Sequence, residues 1–176
     1  MKRAQVFSLD LIIAVFLFLS VLILFFKYSI DLSQISRDKL NEMTEDINFI
    51  SNSLVSKGYP NDWDIGNVIS IGITNDNQRV NSSKLVSFSN LNYSTSKELL
   101  NTEYDYLVFF ENRIRNKISI NGTCYIGKQD EQVNITGNVS LDCGSLELKN
   151  IENIIKAERF LLYDDELVRM AIYLFE

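Results

Sequence analysis

Between Leu11 and Phe26 the chain has no charged residue, and just before that run stand a dibasic head, Lys2-Arg3, and the segment Ala4-Gln5-Val6-Phe7-Ser8-Leu9-Asp10. As a helix the run alone reaches about 24 Å; counted from Val6 it reaches about 31 Å, the thickness of a hydrocarbon core. This predicts one membrane span. A secretory signal peptide would end in small residues at a cleavage site, whereas Phe25, Phe26, Lys27 and Tyr28 follow here, so no cleavage is expected behind the apolar run. Lys2 and Arg3 keep the head cytoplasmic by the positive-inside rule, so the expected topology is single-pass, with an extracytoplasmic C-terminal domain.

Composition limits what that outer part can do. The formal net charge is -6, and setting aside Lys2, Arg3 and Asp10 leaves fifteen basic against twenty-two acidic residues, about -7 for the remainder. An acidic surface argues against nucleic acid as a partner. There is no His and there are two Cys, so the commonest general base and a thiolate zinc site are both missing; no cofactor, no metal and no catalytic residue is expected. The length suits one domain beyond the anchor.

The helix is expected to continue outside the membrane. From Lys27 to Lys57 there is neither Gly nor Pro, and Leu32, Ile35, Leu40, Met43, Ile47, Ile50 and Leu54 recur at mostly three- and four-residue steps, with Asp31, Arg37, Asp38, Lys39, Glu42, Glu45 and Asp46 between them. Gly58 and Pro60 give a stop signal. A single helix from Val6 to Lys57 would be about 80 Å long. The domains read as a leader over 1–5, a helix over 6–57 (membrane part 6–26, amphipathic part 27–57) and a head over 58–176. The stripe has two readings, packing on the chain's own head or on another molecule.

Beyond Gly58 the period shortens. Residues 67–74 alternate and read as a strand; 82–88 and 94–100 open on hydroxyl residues able to cap and read as short helices. Tyr104 to Glu111 and Lys117 to Ile126 read as adjacent antiparallel strands. Glu158 to Tyr163 and Leu167 to Phe175 read as a hairpin across Asp164-Asp165-Glu166. A helix over 150–163, lined by Ile151, Ile154, Ile155 and Phe160, competes but would cross the Asp164-Asp165 break without a cap. The fold class is α+β: a long N-terminal transmembrane and amphipathic helix, then a small, mostly antiparallel sheet with short helices.

The order basic head, small residue, Gln, Ser, acidic residue, apolar helix, carried by Lys2-Arg3-Ala4-Gln5-Val6-Phe7-Ser8-Leu9-Asp10, resembles the precursor of an archaeal type IV pilin or pilin-like protein with a class III signal peptide. The resemblance implies processing ahead of the apolar segment by a prepilin-type signal peptidase in the membrane. It further implies self-assembly, with copies or with other pilins on an assembly platform, into a cell-surface filament whose core is the bundled helices. Carried over to this chain, the cut falls between Ala4 and Gln5 or between Gln5 and Val6. The family usually has Glu at the fifth mature position. Cutting after Ala4 puts Asp10 sixth; cutting after Gln5 puts it fifth.

Asp10 also has a reading of its own. A carboxylate at the bilayer centre costs about 2.5 to 3.5 kcal/mol and less near the edge, so it is usually paired. By the resemblance, its mate is the freed α-amine of a neighbouring subunit, which makes Asp10 an assembly residue; otherwise it marks the headgroup level.

Cys124 and Cys143 both lie in the outer part, and a disulfide between them would contribute roughly 3 kcal/mol in an oxidising exterior. Asn81, Asn92, Asn121, Asn134 and Asn138 each begin an Asn-X-Ser/Thr glycosylation acceptor. The acids of Asp164-Asp165-Glu166 read as a solvated turn, Glu103, Asp105 and Asp130 have no ligand spacing, and Tyr59, Trp63, Tyr104, Tyr106, Phe109 and Phe110 read as core. The expectation is a structural filament subunit and not an enzyme. The other reading is an uncleaved, membrane-anchored extracellular binding or sensing domain.

Overall fold

A computed structural model describes residues 2–130, 132–136 and 143–176, with side chains described for these except at 2–9, 30–36 and 76. Two compact units are present, residues 1–41 and residues 42–176. Helix α1, Lys2–Val55, supplies all of the described first unit, and its last turns belong to the second.

In the second unit a five-stranded antiparallel sheet carries helices on one face and a small hairpin on the other. Its strands are β1 (Asp105–Glu111), β2 (Lys117–Ile118), β3 (Tyr125–Gly127), β6 (Ile154–Tyr163) and β7 (Glu166–Phe175); β4 (Val133–Thr136) and β5 (Ser145–Leu148) form the hairpin. The order is β2-β1-β7-β6, and β3 shares with β2 the outer edge of β1. Strict alternation divides the side chains. Tyr106, Val108, Phe110, Met170, Ile172 and Leu174 join Met43, Ile47, Ile50 and Leu54 of α1 in the main core, with Leu85 and Phe88. Leu107, Phe109, Ala171 and Phe175 join Tyr125, Val133 and both cysteines in a second core under the hairpin.

The α1 stripe therefore packs on the chain's own head from Met43 to Leu54, at steps of four, three and four. All four side chains are buried, each contributing about 1.5 to 3 kcal/mol of burial relative to exposure. Leu40 is partly exposed, and the side chains of Leu32 and Ile35 lie outside those described.

Residues 67–74 do not form a ladder strand. Asn67 and Val68 close a turn on the Asp64 carbonyl, isolated bridges join Ser70 to Tyr59 and Thr74 to Val80, and the segment docks on the end of α1. The N–H groups of Ile73 and Thr74 donate to the carbonyls of Leu54 (2.9 Å) and Ser56 (3.1 Å), and the Thr74 hydroxyl donates to the Val55 carbonyl. Lys84, itself buried, donates to the Lys57 carbonyl at 2.7 Å. Burial does not alternate either: Ile71, Gly72, Ile73 and Thr74 are all buried, while Ile69, in the same phase as Ile71 and Ile73, is exposed, so the segment has no single buried face. Its backbone is spent on a helix end whose last carbonyls have no partner within the helix.

Helices α2 (Ser82–Asn90) and α3 (Tyr93–Leu99) form where expected, but their caps are Asn81 and Asn92, one residue ahead of the hydroxyl groups or nearly so. The expected strand over 117–126 is split: the Ile120–Thr123 turn, with Asn121 at φ 49° and Gly122 at φ 82°, separates β2 from β3. The C-terminal hairpin has the expected place, with Tyr163 opposite Glu166 across a two-residue turn. Asp164 and Asp165 both take positive φ (49° and 65°), as a type I′ turn requires. Residues 154–163 are strand, not helix.

Candidate functional site

The longest uncovered apolar surface lies on α1. Asp10–Ser29 is long and apolar enough to cross a membrane, about 30 Å as a helix, and none of it is buried. Leu11, Phe16, Phe18, Val21, Ile23 and Phe25 stand at different angles around the axis and are each exposed, so the segment is apolar on every side. A helix of that kind is covered by lipid or by other helices. The Ser20 hydroxyl donates to the Phe16 carbonyl at 2.8 Å, which satisfies the one hydroxyl inside the run. Asp10 bounds the stretch at one end; Lys27 and Tyr28, types suited to a membrane interface, lie near the other. Ala4, Gln5 and Val6 are helical in backbone, and their side chains lie outside those described.

The head has a disulfide. Cys124 and Cys143 are bonded, with their Cα atoms 5.3 Å apart, and both are buried. The bridge fastens the hairpin to the approach to β3 and belongs to the second core.

The predicted glycosylation acceptors occupy different settings. The Asn81 side-chain oxygen accepts from the Ser83 and Lys84 N–H groups, and its nitrogen donates to Asn75 at 2.9 Å. Asn92 accepts from the Ser94 N–H at 3.0 Å and from its hydroxyl at 2.7 Å. Asn121 is exposed on a turn, Asn134 lies half-buried in β4, and Asn138 lies outside the described residues.

Of the acids singled out in the sequence, Asp105, Asp130 and Asp165 take part in ion pairs. Asp105 accepts from the Tyr93 hydroxyl (2.7 Å), from Lys128 (2.9 Å) and from Lys97 (3.3 Å), and Lys128 also reaches Asp130 at 3.1 Å. Burial pushes the Asp105 carboxyl up, but hydrogen bonds from Lys128, Tyr93 and Lys97 outweigh it and hold the group below its ordinary range. Burial and the same contact push the Tyr93 phenol up. Glu103 joins only through its carbonyl, which accepts from Lys97. Asp165 pairs with Arg79 at 2.8 Å, both exposed. Among the described residues no group of three or more His, Cys, Asp or Glu is placed to hold a metal ion. Trp63, Tyr104, Tyr106, Phe109 and Phe110 are core, but Tyr59, expected with them, is 63% exposed.

One feature has no signal in the sequence. Between the hairpin and the sheet lies a cleft of about 490 Å³ lined by Phe109, Lys117, Leu146, Ile154, Lys156 and Tyr173, among others. The Lys117 ammonium lies 5.8 Å from the Phe109 ring centre, and that of Lys156 lies 5.5 Å from Tyr173. These residues come from β1, β2, β5, β6 and β7, and only the sheet register brings them together.

Comparison with protein-family models, curated proteins and solved structures finds no match for this chain.

Proposed function

We propose that this chain is a structural subunit of a cell-surface, type IV pilus-like filament. It is held in the membrane by Asp10–Ser29, trimmed by a prepilin-type peptidase between Ala4 and Gln5 or between Gln5 and Val6, and assembled through the same helix. The observation that carries this reading is a helix apolar on every side that runs into the core of a disulfide-bonded head. Lipid covers such a helix before assembly, and neighbouring helices replace lipid afterwards with little change in apolar burial. Asp10 then sets register by meeting a charged group of a neighbour. Asn-X-Ser/Thr acceptors in the head carry glycans that keep the filament surface soluble.

The deciding experiment is mass spectrometry of the N-terminus of protein taken from its own membranes. A chain beginning at Gln5 or Val6 supports the filament reading. A chain retaining Lys2 and Arg3 overturns it and favours the second reading, an uncleaved anchor carrying a binding domain, for which the cleft lined by Lys117, Lys156 and Glu111 supplies a charged, aromatic-floored site.

A further inference from the structure

Strand β6 has one partnered edge and one open edge. A two-residue hairpin closes on a hydrogen-bonded pair, Tyr163 with Glu166, so the odd-numbered residues of β6 bond inward to β7. The even-numbered residues, Ile154, Lys156, Glu158, Phe160 and Leu162, direct their N–H and C=O groups outward. Leu162 confirms the phase, since its carbonyl accepts from the Val80 N–H at 2.8 Å. Among the described residues no backbone group pairs with the outer edge from Ile154 to Phe160. The one side-chain contact there is from Arg159, whose Nη1 donates to the Glu158 carbonyl at 3.2 Å and leaves it a second lone pair. The side chains of this window are accessible: Ile154 is 46% and Phe160 56% exposed.

We infer that this edge docks a second copy of the chain, the two β6 strands pairing antiparallel about Ala157. Antiparallel pairing needs outward-bonding residues opposite one another, so even numbers must face even numbers. Centred on Ala157, Ile154 faces the copy's Phe160, and Lys156 faces the copy's Glu158; the two-fold axis repeats both pairs. Among these even-numbered side chains, which share one face of the extended sheet, apolar meets apolar and each charge meets its opposite; on the other face Ala157 meets its own copy and Ile155 meets Arg159. The next registers fail. Centring on Glu158 sets acid against acid, and centring on Lys156 sets ammonium against ammonium.

Open edges are commonly guarded by charged residues that repel other strands. Here Lys156 and Glu158, which already pair at 2.7 Å within one strand, guard against most edges but match their own inverted copy. The contact is isologous and closes at two chains, so it is distinct from the helix packing proposed above and does not depend on it. Leu162, occupied by Val80, falls outside the paired window.

The test uses full-length chain in detergent micelles. Ile154→Cys and Phe160→Cys variants are prepared separately and oxidised mildly, alone and mixed; the native cysteines are already bridged. In the inferred register two copies of Cys at 154 stand about 20 Å apart, whereas 154 and 160 are directly opposed. The mixture should therefore give about tenfold more linked dimer than either variant alone, the ratio that about 1.4 kcal/mol of register preference supplies. Adding Lys156→Glu to both chains should abolish the excess. Placing Lys156→Glu on one chain and Glu158→Lys on the other should restore it, which also shows that the variants fold. Association through the apolar helix alone gives no such selectivity. Equal linking in mixed and single samples, or linking indifferent to the charge variants, overturns the inference.

Discussion

The Trp63 indole N–H donates to the Gly72 carbonyl at 2.8 Å inside the head, and a Cβ on Gly72 would lie 2.2 Å from the Gly58 nitrogen and 2.5 Å from the Ser56 carbonyl oxygen. Gly58 sits at φ +71°, with its own Cβ direction 2.5 Å from the Trp63 indole nitrogen. Two glycines and one tryptophan thus close the joint between the end of α1 and the extended segment laid over it.

Gly72→Ala should open this joint, because the atoms in the way are backbone. The expected loss is about 3 kcal/mol or more. Gly66→Ala, whose Cβ would meet only Asp64 at 3.4 Å, should stay within about 0.5 kcal/mol. Chemical unfolding followed by Trp63 fluorescence reads both.

Replacing Cys124 and Cys143 together by Ser should cost about 3 kcal/mol on the chain-entropy account, and reductant should reproduce that loss in the wild type but leave the double variant unchanged. The hairpin's β4 and β5 are held to the sheet mainly by the second core, so their amides should lose exchange protection first.

Asp105 predicts an acid limb in the stability profile. Its folded-state carboxyl is held below the unfolded value of about 3.9, so its contribution is complete above that value and is lost as pH falls through the folded one. Asp130 and Glu158 are shifted the same way and act in the same window. Asp105→Asn should therefore lower stability at about pH 7 and flatten, without removing, the fall that sets in as pH drops below about 4. Thermal midpoints across that range would reveal a limb as steep as the wild type's if Asp105 contributes nothing.

Asp10→Ala should leave membrane insertion intact, since it makes Asp10–Ser29 more apolar, while lowering filament yield if the carboxylate sets register between neighbours. Membrane fractionation reports the first and sheared surface filaments the second; an unchanged yield would remove Asp10 from assembly.

What the sequence disclosed follows the range of the forces involved. The apolar run of α1 is legible because composition alone decides it, and the β6–β7 hairpin because alternation and an Asp164-Asp165 turn are local. Residues 67–74 misled because their apolar and polar spacing is answered by burial of 71 to 74 in both phases, while the backbone N–H groups of Ile73 and Thr74 bond to Leu54 and Ser56 and not to a neighbouring strand. The helix starts were visible, but the caps are Asn81 and Asn92, which stand ahead of the hydroxyl residues and accept from the first free N–H groups, so Ser82 and Ser94 fall inside the helices. The Tyr93, Lys97, Asp105 and Lys128 cluster and the cleft over Phe109 had no local trace, because the first brings α3 against the start of β1 and the end of β3, and the second is assembled by pairing between distant strands.

The sheet order β2-β1-β7-β6 sets a schedule for the nascent chain. The strand that β1 and β6 both need is β7, made after all the others, so Met43, Ile47, Ile50 and Leu54 wait without their covering face while the rest of the head is synthesised. The head can close only when β7 arrives, and until then its apolar faces and unpaired strand edges are open to association with other chains.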